Sequence, residues 1–117
     1  MAVDLFAGMP VSDFRASVAW YETLLGEGPA FFPHDTEAVW EVAEHCYLYV
    51  VQRAGAGHSV ATVLVGTAAD LGRLVEEVEA RGLAPAEDET YGNGTRKVTY
   101  RDPDGNEIGF GGTPPGV

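Results

Sequence analysis

Apolar positions in the first half of the chain switch between two periods. Across residues 11–26 they fall at Phe14, Val18, Tyr21 and Leu25, a spacing that gathers them on one side of a helix. The helix is predicted over about 13–25. Ser12 or Asp13 would accept a free backbone N–H at its start, and Gly26 would take the left-handed conformation at its end. Residues 3–9 instead alternate every second position, with Leu5, Ala7 and Met9 on one side of a strand and Asp4, Phe6 and Gly8 on the other. Residues 29–32, 37–42 and 45–52 are short, aromatic or β-branched segments cut by turn-forming residues, so three more strands follow the helix.

The order then recurs. Residues 58–65 read as a strand and 67–81 as an amphipathic helix with Leu71, Leu74, Val75 and Val78 inward. Thr67 and Asp70 form a capping-box-like start, and Gly82 is a C-terminal stop. Residues 83–87, 95–101 and 107–111 supply three further strands. The last two are joined by Asp102-Pro103-Asp104-Gly105, in which Pro sets φ, Asp bonds nearby backbone and Gly takes positive φ. The expectation is an α+β fold of two βαβββ modules, residues 3–52 and 58–111, joined by a small-residue linker at 53–57 within one domain, 1–117. The eight strands are expected to form a curved mixed sheet around a cleft. With a helix on one face of each module, the opposite sheet face is where a ligand would sit.

Charge narrows the partners. Seven basic against eighteen acidic residues give a net charge of -11, which opposes binding to nucleic acid or to anionic membrane surfaces. No apolar run reaches the ~18 residues of a membrane-spanning helix, and the N-terminus lacks a signal-peptide pattern, so a cytoplasmic address is expected. The single Cys46 cannot build an intramolecular disulfide and reads as a small core residue. No Ser-His-Asp set, phosphate-cradling glycine loop or zincin motif is present.

Two segments carry a family resemblance. Val11, Asp13, Phe14, Ser17, Trp20, Tyr21, Leu24, Leu25 and Gly26, at their spacing, resemble the first-helix signature of the vicinal oxygen chelate superfamily, that is, the glyoxalase/bleomycin resistance protein/dioxygenase group. Arg101-Asp102-Pro103-Asp104-Gly105-Asn106 followed by Ile108 is similar to its last-hairpin motif. The resemblance implies two modules around a cleft, commonly in a homodimer. In many members it also implies a divalent metal held by four side chains on strands one, four, five and eight. Those positions correspond here to Phe6, Tyr49, Val60 and Gly109. Phe, Val and Gly offer no side-chain donor, and hard divalent ions need several O or N atoms converging on one point. The implied metal centre is therefore expected to be lost and no cofactor is expected. One alternative is a rebuilt site around His58, Tyr49 and Glu107, which would suit a metal-dependent lyase, isomerase or dioxygenase.

By strand alternation Phe6, Gly8, Trp40, Tyr47, Tyr49, Val60 and Thr62, with Gly109, are the candidate ligand-binding residues. An aromatic-walled cleft with few polar groups suits a small apolar or aromatic molecule held by burial and stacking. The expected function is thus metal-independent small-molecule binding, and the resemblance implies the type of the superfamily's antibiotic-sequestering proteins, which confer antibiotic resistance. His34 and His45 sit by turn-like segments and are expected in solvent. Arg96 and Lys97, beside Gly92-Asn93-Gly94, are a candidate basic lid or exposed strand-end charges.

Overall fold

The computed structural model describes residues 1–115; Gly116 and Val117, the end of the expected 1–117 span, lie outside the described residues. The chain is an α+β protein of two βαβββ modules, β1 Leu5–Val11, α1 Phe14–Leu25, β2 Phe31–His34, β3 Glu37–Ala43 and β4 Cys46–Gln52, then β5 Val60–Thr67, α2 Ala68–Ala80, β6 Glu87–Thr90, β7 Arg96–Arg101 and β8 Glu107–Thr113. The eight strands are divided between two four-stranded mixed sheets, ordered β1-β4-β3-β2 and β5-β8-β7-β6. In each, the first strand lies parallel to the last and the other neighbours are antiparallel. By packing, the chain forms two compact units, 1–59 with 102–106, and 60–101 with the remainder.

Local chemistry explains the element ends. Asp13, not Ser12, caps α1 by accepting from the Ala16 N–H, and Gly26 closes it at φ 80. Thr67 and Asp70 exchange side-chain to backbone bonds in a full capping box at α2. The buried stripe of α1 runs through Ser17, Tyr21 and Leu24, with Phe14, Val18 and Leu25 half-buried beside it, so the stripe is turned from the predicted one by about a residue. Against it lie Met9 and Val11 of β1, Leu48 and Val50 of β4, and Ala38 and Trp40 of β3, all buried. In the second unit Leu71 and Val78 of α2 are buried, as are Val98, Tyr100, Ile108 and Phe110 of its sheet. Fully burying one such aliphatic or aromatic side chain contributes about 1.5–3 kcal/mol.

One strand is displaced from its expected place. Extended pairing was expected over residues 83–87, but β6 begins at Glu87. The Leu83 N–H still donates to the Val78 carbonyl at the end of α2, and Pro85 has no N–H to give to a ladder, so pairing starts beyond them. Cys46 is half-buried at the start of β4 and not part of the core. Among the described residues no helix is long and apolar enough to cross a membrane.

Candidate functional site

The first sheet buries one face against α1, and strand alternation turns a second set of side chains the other way. The parallel register of β1 and β4 sets Phe6 beside Tyr47, Gly8 beside Tyr49 and Pro10 beside Val51. Phe6 and Tyr47 stack with centroids 4.5 Å apart and planes 12° from parallel, while the Tyr49 ring lies 6.5 Å from Phe6 at 60°. Gly8 allows this. A Cβ there would stand 2.5 Å from Cζ and Oη of Tyr49, so the ring lies directly across the glycine backbone. Phe6 remains 47% exposed, so part of its surface is open to a visitor. The Tyr47 phenol is pushed above its ordinary value by burial and by the carboxylates of Glu41 and Asp4.

Past Gly8 and Tyr49 the same face opens into a recess of about 350 Å³ lined by Gly8, Pro10, Tyr49, Val51, Arg53, Gly57, His58 and Ser59. Hydrogen bonds fix its lining. Ser59 Oγ donates to the Gly8 carbonyl at 2.7 Å, the Gly57 N–H donates to the Pro10 carbonyl, and the Arg53 N–H to that of Val11. His58 adopts φ 68, a conformation that side-chain-bearing residues adopt rarely. Arg53 and Ser59 were missed by sequence reasoning, which saw the segment 53–57 only as a small-residue linker. A cation following a strand of alternating aromatics was the available signal.

Trp40 does not share this face. It pairs with Leu48, and pairing partners point the same way, so it is buried under α1, 5.9 Å from the Tyr21 ring, with Nε1 donating to the Glu27 carbonyl at 3.0 Å. The expected assignment used alternation within a strand without the register between strands, and register decides which face a residue shares. Val39 and Glu41, its neighbours in β3, occupy the face of Tyr49 and Tyr47. In the second unit Val60 stands opposite Glu107 and Thr62 opposite Gly109, all on the sheet face turned away from the buried Ile108 and Phe110. Val60 is 64% exposed, and the Lys97 stem lies over Gly109, where a Cβ would meet its Cε at 2.6 Å.

The charged candidates are mostly paired already. His34 faces Glu37 at 3.2 Å and His45 faces Asp4 at 2.6 Å, both exposed. Arg96 makes a two-pronged bond to Asp88 at 2.9 and 2.7 Å, which holds the Asp88 carboxyl below its ordinary value and leaves no free guanidinium beside the 92–94 loop. Arg101 bridges Glu87 and Glu107 at 2.5 and 3.3 Å, which lowers the Glu87 carboxyl likewise.

The donor set at the metal positions implied by the family does not fit a metal. Phe6, Val60 and Gly109 bring no donor atom, and Tyr49 brings one phenol. Of the alternative trio, Tyr49 and His58 line the same recess, whereas Glu107 lies in the second unit and accepts from Arg101. Among the described residues no three His, Cys, Asp or Glu side chains gather in a group suited to an ion.

The turn at 102–106 does more than reverse the chain. The buried Asp102 carboxylate accepts from Tyr21 Oη at 2.8 Å and Asn106 Nδ2 at 2.8 Å on one oxygen, and from the backbone N–H groups of Asp104 and Asn106 at 2.9 Å on the other. Asn106 Nδ2 also donates to the Pro10 carbonyl at 2.8 Å, and its Oδ1 accepts from the Ser59 N–H at 2.9 Å. Asp104 receives both the N–H and the hydroxyl of Ser12 at 3.0 and 2.6 Å. Three turn side chains thereby hold β1, α1 and the Ser59 segment that lines the recess.

The model of the glyoxalase/bleomycin resistance protein/dioxygenase superfamily matches residues 3–110. Among solved structures, a glyoxalase/bleomycin resistance protein from Catenulispora acidiphila DSM 44928 is 50% identical, with TM-score 0.90, over 97% of this chain and 100% of that one. A lactoylglutathione lyase from Agrobacterium tumefaciens has TM-score 0.78 at 17% identity, over 96% and 94% of the two chains. A bleomycin resistance determinant encoded on the transposon Tn5 has TM-score 0.74 at 18% identity, over 96% and 98%. Likeness at such low identity concerns the fold alone. No curated protein matches the chain.

Proposed function

The chain belongs to the glyoxalase/bleomycin resistance protein/dioxygenase superfamily, and from that premise we propose that it binds a small flat aromatic or apolar molecule without a metal ion, as a sequestering protein does. The observation that carries this reading is the ring surface of Phe6, Tyr47 and Tyr49, with Tyr49 laid across Gly8 and lining the recess at Arg53 and His58. A ring laid on this surface gains burial and about 0.5–1.5 kcal/mol of stacking per aromatic partner. Sequestration needs only affinity and slow release, so no acid, base or ion has to be supplied. The fold alone favours no chemistry, since a lyase and a resistance determinant share it.

Isothermal titration against planar aromatic and glycopeptide antibiotics tests the proposal. At least one planar aromatic compound is expected to bind with micromolar affinity, and Phe6→Ala to weaken it about tenfold, the loss of one stacking partner with its buried area. Silence across the panel, or an ion found coordinated by three or more protein atoms, defeats it. We propose in addition that the protein is a homodimer, a reading supported by the exposure of Phe31, Phe32, Val60 and Leu64 in the single chain. Light scattering after size exclusion at micromolar concentration would return the monomer mass if that is wrong.

A further inference from the structure

Resting on that reading, we infer that the ligand is a small aromatic carboxylate, its ring against Tyr49 at the edge of the Phe6–Tyr47 stack and its anionic end in the recess beside Arg53 and His58. The two ends are ordered by the backbone itself. Along β1 and β4 the face runs from the Phe6–Tyr47 stack, through Tyr49 laid across Gly8, to Pro10 and Val51, and then to Arg53 and His58. At about 3.3 Å per residue, a small flat molecule lying along the strands reaches the recess only with its ring against Tyr49, which itself lines that recess.

Arg53, like Arg15 on the exposed side of α1, has no carboxylate partner among the described residues, but of the two only Arg53 lines a recess. With eighteen acidic residues available, Arg73, Arg96 and Arg101 each pair with a carboxylate, whereas the Arg53 guanidinium has no ion pair or side-chain hydrogen bond among the described residues. The histidines divide in the same way. His34 and His45 are each bonded to an acid, and His45 meets Asp4 from a left-handed conformation at φ 63. His58 holds the same rare conformation at φ 68, yet no acid faces it; its ring rests near Gly105. Asp104 on that turn accepts from Ser12 and not from His58.

A cation and an imidazole left without acid partners in a recess are matched by a single negative charge that arrives with the ligand. A net charge of -11 repels anions at long range, and repels a dianion twice as strongly, which favours a monoanionic carboxylate over a phosphate ester. Carboxylate geometry also meets the planar fork of arginine directly.

The test is a titration with 2-naphthoate and its uncharged counterpart 2-naphthamide. Wild-type protein is expected to bind both, the acid about fivefold tighter, as a partly exposed ion pair allows. Arg53→Gln should bring the acid to within about twofold of the amide and leave the amide unchanged, while Arg53→Lys keeps part of the preference. Arg15→Gln, which removes an equal charge from the exposed side of α1, should leave both affinities alone. In nuclear magnetic resonance, the amide signals of Gly57 and His58 should move with the acid and not with the amide. Equal affinity of acid and amide in wild type, or a preference that survives Arg53→Gln or falls as much with Arg15→Gln, overturns the carboxylate assignment and leaves aromatic binding standing. Binding of neither probe at millimolar concentration overturns both.

Discussion

Replacing Tyr21 by phenylalanine removes one oxygen atom from the centre of the first unit and tests whether the Asp102 turn is a structural hub. The ring is fully buried and keeps its contacts with Trp20 at 4.9 Å and Trp40 at 5.9 Å, so the change in packing is confined to the hydroxyl. The loss is one of the four hydrogen bonds accepted by the buried Asp102 carboxylate. Hydrogen bonds to charged groups contribute about 1.5–3 kcal/mol, and the three remaining donors keep the carboxylate from being stranded. A destabilisation of about 2 kcal/mol is therefore expected, or a fall in Tm of roughly 8 °C for a domain of this size. Urea and thermal unfolding followed by circular dichroism measure it.

A second measurement on the same pair of proteins carries a definite sign. Burial, and then the negative charge of Asp102, push the Tyr21 phenol above its ordinary value of 10.0. The folded protein therefore keeps this proton at a pH where the unfolded chain releases it. Stability is fully present below about pH 10 and falls as pH rises beyond it, by up to about 1.4 kcal/mol per pH unit for this one group. The Tyr21→Phe variant has no such proton to release, so the stability gap between the two proteins should shrink from about pH 10 upward. Burial also raises Tyr100, but that residue is common to both proteins and cancels. A gap below about 0.5 kcal/mol at neutral pH that stays flat to about pH 11 would refute the hub.

Other consequences are open to equally direct measurement. Asn106→Ala strips a partner from Asp102, from the Pro10 carbonyl and from the Ser59 N–H at once, and is expected to cost about 3 kcal/mol or more in denaturant unfolding; a cost below about 1 kcal/mol contradicts the network. Gly8→Ala drives Tyr49 off the sheet, since the new methyl would overlap its ring, and should cost about 1–3 kcal/mol while changing the near-ultraviolet signal of the tyrosines. At acid pH the sign is opposite to that of Tyr21. Asp88 and Glu87 are held below their ordinary carboxyl values by Arg96 and Arg101, so their contribution is present above about pH 4 and is lost as pH falls through the depressed folded values. Arg96→Gln should flatten the acid limb of the stability profile, and an unchanged limb would show the pair to be idle.

Local signals determined the elements and their order. Asp13 and Gly26 bound α1, Thr67 and Asp70 bound α2, and alternation marked most of the strands, because caps and hydrogen-bonding periods act between residues a few positions apart. The doubling of the βαβββ pattern was readable for the same reason, and so was the turn at 102–105. What Asp102, Asp104 and Asn106 do there was not readable, since their partners Tyr21, Ser12, Pro10 and Ser59 lie 47 to 96 positions away along the chain. Trp40 shows the same limit at the site. Alternation says only that neighbours in a strand point opposite ways, and the pairing of Trp40 with Leu48, a property of the assembled sheet, sent it under the helix. Tertiary structure also singled out Arg53 and His58, because a charge is free or paired only once every carboxylate has taken its place in space.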